Sequence, residues 1–196
     1  MYNFNLFATP WPVNLLILIP VIMFFWLREN KLFLSKQTLI TTAIFGIAFG
    51  FVEASVVVYL RAALGFLPGF MTSLSEAASQ SFNIYQQDEI LNNLPKSLFT
   101  VEIYRETATM IMLLAVALLS GKKPKERLAV FLWIFAAWDI FYYIGLWLTV
   151  RWPYSLLTND LLFLIPIPWY SQVWFPLLIS ASTMFIIATN RTRSQV

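Results

Sequence analysis

Apolar runs of roughly 18 or more residues recur along this chain, and they constrain its fold more than any other feature. A run of that length crosses the ~30 Å hydrocarbon core of a bilayer as a helix, because intrahelical hydrogen bonds are what satisfy its backbone in lipid. Composition agrees. Of 196 residues, 59% are hydrophobic and 12% are charged, about half the charge fraction of a soluble domain. The expectation is one integral membrane domain, an all-α bundle of about five transmembrane helices with no soluble module. The first run has no basic n-region and no small-residue cleavage site after it, so no cleaved signal peptide is expected.

Spans are expected at about 11–28, 38–64, 98–120, 128–150 and 169–189. Pro12 fits the opening turn of the first, and Pro20 predicts a kink within it. Lys and Arg set the orientation. Arg28, Lys31, Lys36, Lys122, Lys123, Lys125, Arg127, Arg191 and Arg193 all fall on one side of a five-span arrangement. The positive-inside rule makes that side cytoplasmic, with the N-terminus outside and the C-terminus inside. A six-span arrangement would put the basic tail opposite the cluster GKKPKER. Asn190-Arg-Thr192 matches a glycosylation sequon, but on the cytoplasmic side it is discounted.

Two outer segments remain. Within 65–97, Ser73 and Glu76 fit a capping box, and Leu74, Ala78, Phe82 and Tyr85 follow at helical spacing. That pattern reads as an amphipathic outer helix, with an ordered loop as the alternative. Residues 151–168, RWPYSLLTNDLLFLIPIP, are interrupted by Pro166 and Pro168 and too short in their apolar part to span. They read as a re-entrant or interfacial segment, tolerated where protein or a wet cavity covers its backbone.

Absences narrow the chemistry. With no Cys and no His, thiolate nucleophiles, disulfides, His-ligated haem, the usual zinc sites and a Ser-His-Asp triad are excluded. No cofactor is expected. The positive charges sit in short loops, which argues against a nucleic-acid partner. Acid–base chemistry falls to carboxylates, Tyr, Lys or Arg.

Ionisable groups inside a span are costly and face the bundle interior with a partner. Glu53 sits near the middle of the second span, and Arg61 about two turns further out. Glu102, Arg105 and Glu106 share about 100° of arc on the third, with Thr109 one turn deeper. Asp139, Tyr142 and Tyr143 share a face of the fourth, and Arg151 and Asp160 flank the outer segment. Gly46 and Gly50 form a GxxxG pattern three residues before Glu53, so Glu53 lies near a face that a neighbouring helix can approach closely.

Depth then orders the set. Arg61, Glu102, Arg105, Glu106 and Arg151 fall in the outer leaflet, with Glu53 and Asp139 deeper. The core of four acids and two arginines implies that one deep acid is protonated or holds a cation. The plain alternatives are snorkelling for Glu102, Arg105 and Glu106, and structural pairing for Glu53 and Asp139. Six of the tryptophans read as interfacial belt residues, while Trp133 and Trp138, further in, read as packing residues with the lining of a pocket as the alternative.

The strings EIYRETATMIMLLAVALLSGK, FAAWDIFYYIGLWL and WPYSLLTNDLLFLIPIPW resemble a group of small uncharacterised prokaryotic membrane proteins. The resemblance covers roughly the C-terminal half. It implies a prokaryotic inner-membrane origin and carries no chemistry.

Four functions fit these residues. The first is a membrane-embedded site that binds, and by acid–base chemistry transforms, an amphipathic or isoprenoid-like lipid. Glu53, Asp139, Glu102 and Glu106 would be the acid–base groups. Arg61, Arg105, Tyr142, Tyr143, Arg151 and Asp160 would hold the ligand. The second is a cation or proton pathway, opposed by the scarcity of polar residues in the inner halves. The third is an accessory subunit of a larger membrane complex, with a membrane-protein partner. The fourth is an all-carboxylate metal site, opposed by the adjacent arginines.

Overall fold

The computed structural model of the chain describes residues 7–29, 32–63 and 96–191. A 3-10 helix, Trp11–Ile17, leads into α1, Leu18–Glu29. Next come α2, Lys36–Ala63, α3, Lys96–Ser120, and α4, Pro124–Val150. The strands β1, Asn159–Phe163, and β2, Trp169–Gln172, precede α5, Trp174–Asn190. Among the described residues four helical stretches are long and apolar enough to cross a membrane: Trp11–Arg28, Lys36–Arg61, Lys96–Ser120 and Pro124–Val150. The expected amphipathic segment at 65–97 lies outside the described residues, except for Lys96 and Ser97, which open α3.

The fold departs from the all-α expectation in one element. Residues 159–172 form an antiparallel hairpin, with Asp160 opposite Ser171 and Leu161 opposite Tyr170. Strand pairing satisfies backbone groups that a proline-interrupted helix would leave orphaned. Thr9 joins the hairpin by exchanging both backbone hydrogen bonds with Tyr170, at 2.8 and 2.7 Å. The hairpin takes the first residues of the expected fifth span, so α5 starts at Trp174 and has 17 residues. Pro176 lies in its first turn, where a missing N–H leaves no bond broken.

Pro20 acts differently from the expected kink. The chain runs as a 3-10 helix up to Ile17 and becomes α-helical at Leu18. A proline at position 20 cannot donate to the carbonyl four residues back, and the tighter 3-10 turns before it avoid that demand.

α4 is the central helix, packed against α2, α3 and α5. Its contact with α2 is close because both carry small residues. A Cβ added at Gly46 would lie 2.8 Å from the Ile134 carbonyl oxygen, and one at Gly50 would lie 2.5 Å from that of Trp138. Further along, a Cβ on Gly145 of α4 would meet the Ala54 Cβ of α2 at 2.9 Å. The GxxxG face of α2 therefore seats directly on the α4 backbone, and the two helices run in the same direction.

The other end of the bundle is closed by local hydrogen bonds. Glu126 accepts from the backbone N–H groups of Lys122 and Lys123, both at 3.1 Å, capping the start of α4. Arg127 Nε donates to the Gly121 carbonyl at 3.0 Å. Leu32 bridges Arg191, and the Lys123 ammonium stands 5.7 Å from the Phe33 ring centre. The α1–α2 link, the α3–α4 turn and the end of α5 thus meet at one end.

Candidate functional site

α3 shows how the site is built. Its buried residues are Glu102, Glu106, Thr109, Leu113 and Ala117, a single stripe at helical spacing. The stripe changes from acid to hydroxyl to aliphatic along its length. Its polar part faces a cavity of about 600 Å³, within the usual range for small-molecule sites. Glu53, Glu102, Glu106, Asp139, Arg61, Arg105, Tyr142, Tyr143 and Asp160 all line it. Helices α2, α3 and α4 and the hairpin each contribute, so residues far apart in sequence share one space.

Arg105 is the hub. It forms an ion pair with Glu53, and its Nε donates to Glu102 at 2.9 Å. Thr109 donates to the other oxygen of Glu53 at 3.2 Å. One guanidinium thus joins α2 to α3 through two buried carboxylates, which is the pairing that buried charge requires. Glu106 has a different partner. Both its oxygens accept from the backbone N–H of Leu164 at 3.0 Å, fastening the hairpin to α3.

Asp139 and Asp160 are held by hydroxyls. Ser180 of α5 donates to Asp139 at 2.7 Å, and Tyr143 donates to Asp160 at 2.9 Å. Burial pushes the Asp160 carboxyl up to about 6, with Arg61 and the Tyr143 hydroxyl pulling the other way. Among the described residues Arg61 has no carboxylate at ion-pair distance. Its guanidinium lies 4.2 Å from the Trp152 ring centre, a cation–π stack that leaves N–H donors at its edge. Five carboxyls therefore share the cavity with two guanidiniums, and the remaining lining is largely apolar and aromatic. Phe135, Trp138 and Phe163 form one wall, with Trp138 stacked on Tyr142 at 6.3 Å.

Arg151 is the one expected site residue that does not line the cavity. It is exposed and has φ of 56° at the end of α4, and its guanidinium stacks on Trp147 at 4.5 Å. Past the end of a helix, helical spacing no longer tells which way a side chain turns. Among the lining residues that the sequence did not single out for the site are Ser180, Thr183 and Trp152. Ser180 and Thr183 were visible as hydroxyls three apart, and so on one face, in a largely apolar helix. Trp138 lines the cavity, the alternative that the sequence left open beside plain packing. Among the described residues no group of three or more acids is arranged to hold a metal ion.

No protein family, curated protein or solved structure matches the chain. The resemblance carried by the sequence strings is therefore not extended to an assignment.

Proposed function

We propose that this is a multi-pass membrane protein whose cavity binds an amphipathic, isoprenoid-like or other lipid-like ligand and exchanges protons with it. One observation carries the reading: five carboxyls, two guanidiniums and two tyrosines are gathered in a largely apolar cavity between membrane-length helices. Ionisable groups at such depth mark functional sites by default. Arg61, stacked on Trp152 with its edge free among the described residues, suits a phosphate or carboxylate headgroup. Asp139, held among the described residues by Ser180 and lining the same cavity as the aromatic wall, is the group that gives or takes a proton, with Glu102 or Glu106 as its partner.

The meeting of the basic α1–α2, α3–α4 and α5 ends supports an N-outside, C-inside orientation in a prokaryotic cytoplasmic membrane. The cavity would then open toward the outer side.

Arg105 favours a second reading. Its clasp on Glu53 and Glu102 is also what a pure helix lock would look like, as in an accessory subunit of a larger membrane complex. A cation or proton pathway fits less well. Below the cavity Leu113, Ala117, Val130, Ile134 and Ile187 are fully buried and aliphatic, and offer a proton no relay.

Native mass spectrometry after mild solubilisation separates these readings. A lipid-like molecule retained at one per chain supports the first. A second protein retained in its place supports the accessory reading. Alanine at Glu53 and at Asp139 should abolish turnover or retention while leaving expression intact. Full retention in both variants would count against the proposal.

A further inference from the structure

Hydroxyls on the helices of this protein behave in two ways. Thr42, Thr100, Thr107, Thr149 and Thr189 each return the proton to a carbonyl four residues back, at 2.7 to 2.9 Å. That is the ordinary fate of a helical threonine. Three cavity-lining hydroxyls break the pattern. Thr109 donates to Glu53 and Ser180 to Asp139. The third is Thr183, one turn from Ser180 on α5. It is 3% exposed, and its oxygen has no hydrogen-bond partner among the described residues.

Indole nitrogens divide in the same way. Trp133 donates to the Leu39 carbonyl at 2.9 Å and Trp174 to Gln172 at 2.8 Å. Trp138, adjacent to Asp139 and 7% exposed, has no partner for its Nε1 among the described residues. A buried donor left unmade is costly, and native proteins keep few of them. Two of them, in residues that line one cavity, call for an acceptor that enters from outside the chain.

We infer that Trp138 Nε1 and Thr183 Oγ1 form a subsite for a hydrogen-bond-accepting oxygen, a hydroxyl or carbonyl, on the apolar end of the ligand. The inference rests on the lipid-binding reading above and sharpens it. The Arg61–Trp152 stack takes the anionic headgroup. Asp139, the residue after Trp138, lies roughly 16 Å along α4 from its C-terminal end at about 1.5 Å per residue, which sets the depth of the subsite. The ligand is then an amphiphile with polar atoms at both ends, joined by a chain about the length of dodecyl. A plain hydrocarbon tail would leave both donors unmet.

Two probes test this: dodecyl phosphate and 12-hydroxydodecyl phosphate, bound to the full chain in nanodiscs and read by native mass spectrometry. In a site without polar partners the extra hydroxyl weakens binding, because its desolvation is uncompensated. The expected result is the reverse, with the hydroxylated probe bound at least fivefold more tightly. Thr183→Val and Trp138→Phe each bring that ratio to twofold or below, and Thr183→Val does so with dodecyl phosphate affinity unchanged. Thr183→Val also melts at or above the wild-type temperature without ligand, since it removes an unmet donor and keeps the side-chain volume.

Equal or weaker binding of the hydroxylated probe, with dodecyl phosphate still bound, overturns this inference and leaves the lipid-binding reading standing. A preference that survives both substitutions overturns it too. So does a fall of several degrees in the melting temperature of ligand-free Thr183→Val, which would show the hydroxyl already satisfied. If neither probe binds, the lipid-binding reading fails and the inference falls with it.

Discussion

The two halves of the bundle are built from the same helices and yet solve opposite problems. At the basic end Leu113, Ala117, Val130, Ile134 and Ile187 are fully buried, and aliphatic packing fills the space. At the hairpin end the same helices present Glu102, Glu106, Asp139, Ser180 and Thr183 to a cavity. The change occurs along single faces: Thr109 to Leu113 on α3, Ile134 to Asp139 on α4, Thr183 to Ile187 on α5. In lipid, helices gain little from merely burying apolar surface against one another. The filled half holds the bundle by close packing, and the hollow half is held by ion pairs and hydrogen bonds. The hollow half can therefore stay open for a ligand without the bundle coming apart.

Several substitutions would break that contrast, and the largest effect is expected where the halves join. Gly50→Leu drives a side chain into the α4 backbone, where a Cβ alone already meets the Trp138 carbonyl oxygen at 2.5 Å. Overpacking against backbone has no cheap relief. Loss of the monodisperse folded species on size exclusion is the expected outcome, whereas Gly50→Ala keeps a weakened fold.

Arg105→Ala comes next. It strips Glu53 and Glu102 of their shared cation and should cost about 3–5 kcal/mol, as breaking a buried ion pair does. Thermal unfolding in detergent reads it out. Pairing Arg105→Met with Glu53→Gln should recover part of the loss. No recovery would mean that Arg105 acts through something other than charge.

The filled and hollow halves should also respond unequally to truncation. Leu113→Ala opens a void in close-packed surroundings and should cost about 2–5 kcal/mol. Leu132→Ala, at the cavity wall, should cost about 1 kcal/mol or less, because one side of that leucine already lacks neighbours. Equal losses from the two would contradict the division into halves.

Asp160 gives the most specific effect. Its carboxyl sits at about 6 against an ordinary 3.8. A carboxyl raised in the folded state contributes stability that is fully present below pH 3.8 and lost as pH rises to about 6. The loss is up to about 3 kcal/mol. Asp160→Asn removes that dependence. The melting temperature of the variant relative to wild type should therefore climb between pH 4 and 6 and level off above. A flat difference over that range would show that Asp160 titrates as an exposed acid does.

How far the sequence foretold the site depended on helical period. Glu102, Arg105 and Glu106 on one face, and Asp139 with Tyr142 and Tyr143 on another, follow from spacing alone, and the structure brings them into one cavity. Gly46 and Gly50 pointed correctly to a close helix contact. Where the period ends, legibility ends too. Arg151 lies one residue past α4 and turns to Trp147. The hairpin depends on pairing across Pro166 and Pro168, and the apolar residues on either side read equally well as the start of a helix. Ser180 was overlooked because a hydroxyl in a largely apolar helix most often bonds its own backbone. Only its contact with Asp139 sets it apart.

The central claim is that the hollow half is kept open for a lipid-like ligand, and filling it tests that most directly. Leu132→Trp places an indole in the cavity and leaves every residue of the ion-pair network around Arg105 unsubstituted. Organic extraction of purified wild-type protein should release one lipid-like molecule per chain. Leu132→Trp should release none, while keeping the wild-type far-UV circular dichroism and melting temperature. A wild-type protein that yields no such molecule, or a Leu132→Trp variant that yields as much as wild type, would contradict the account.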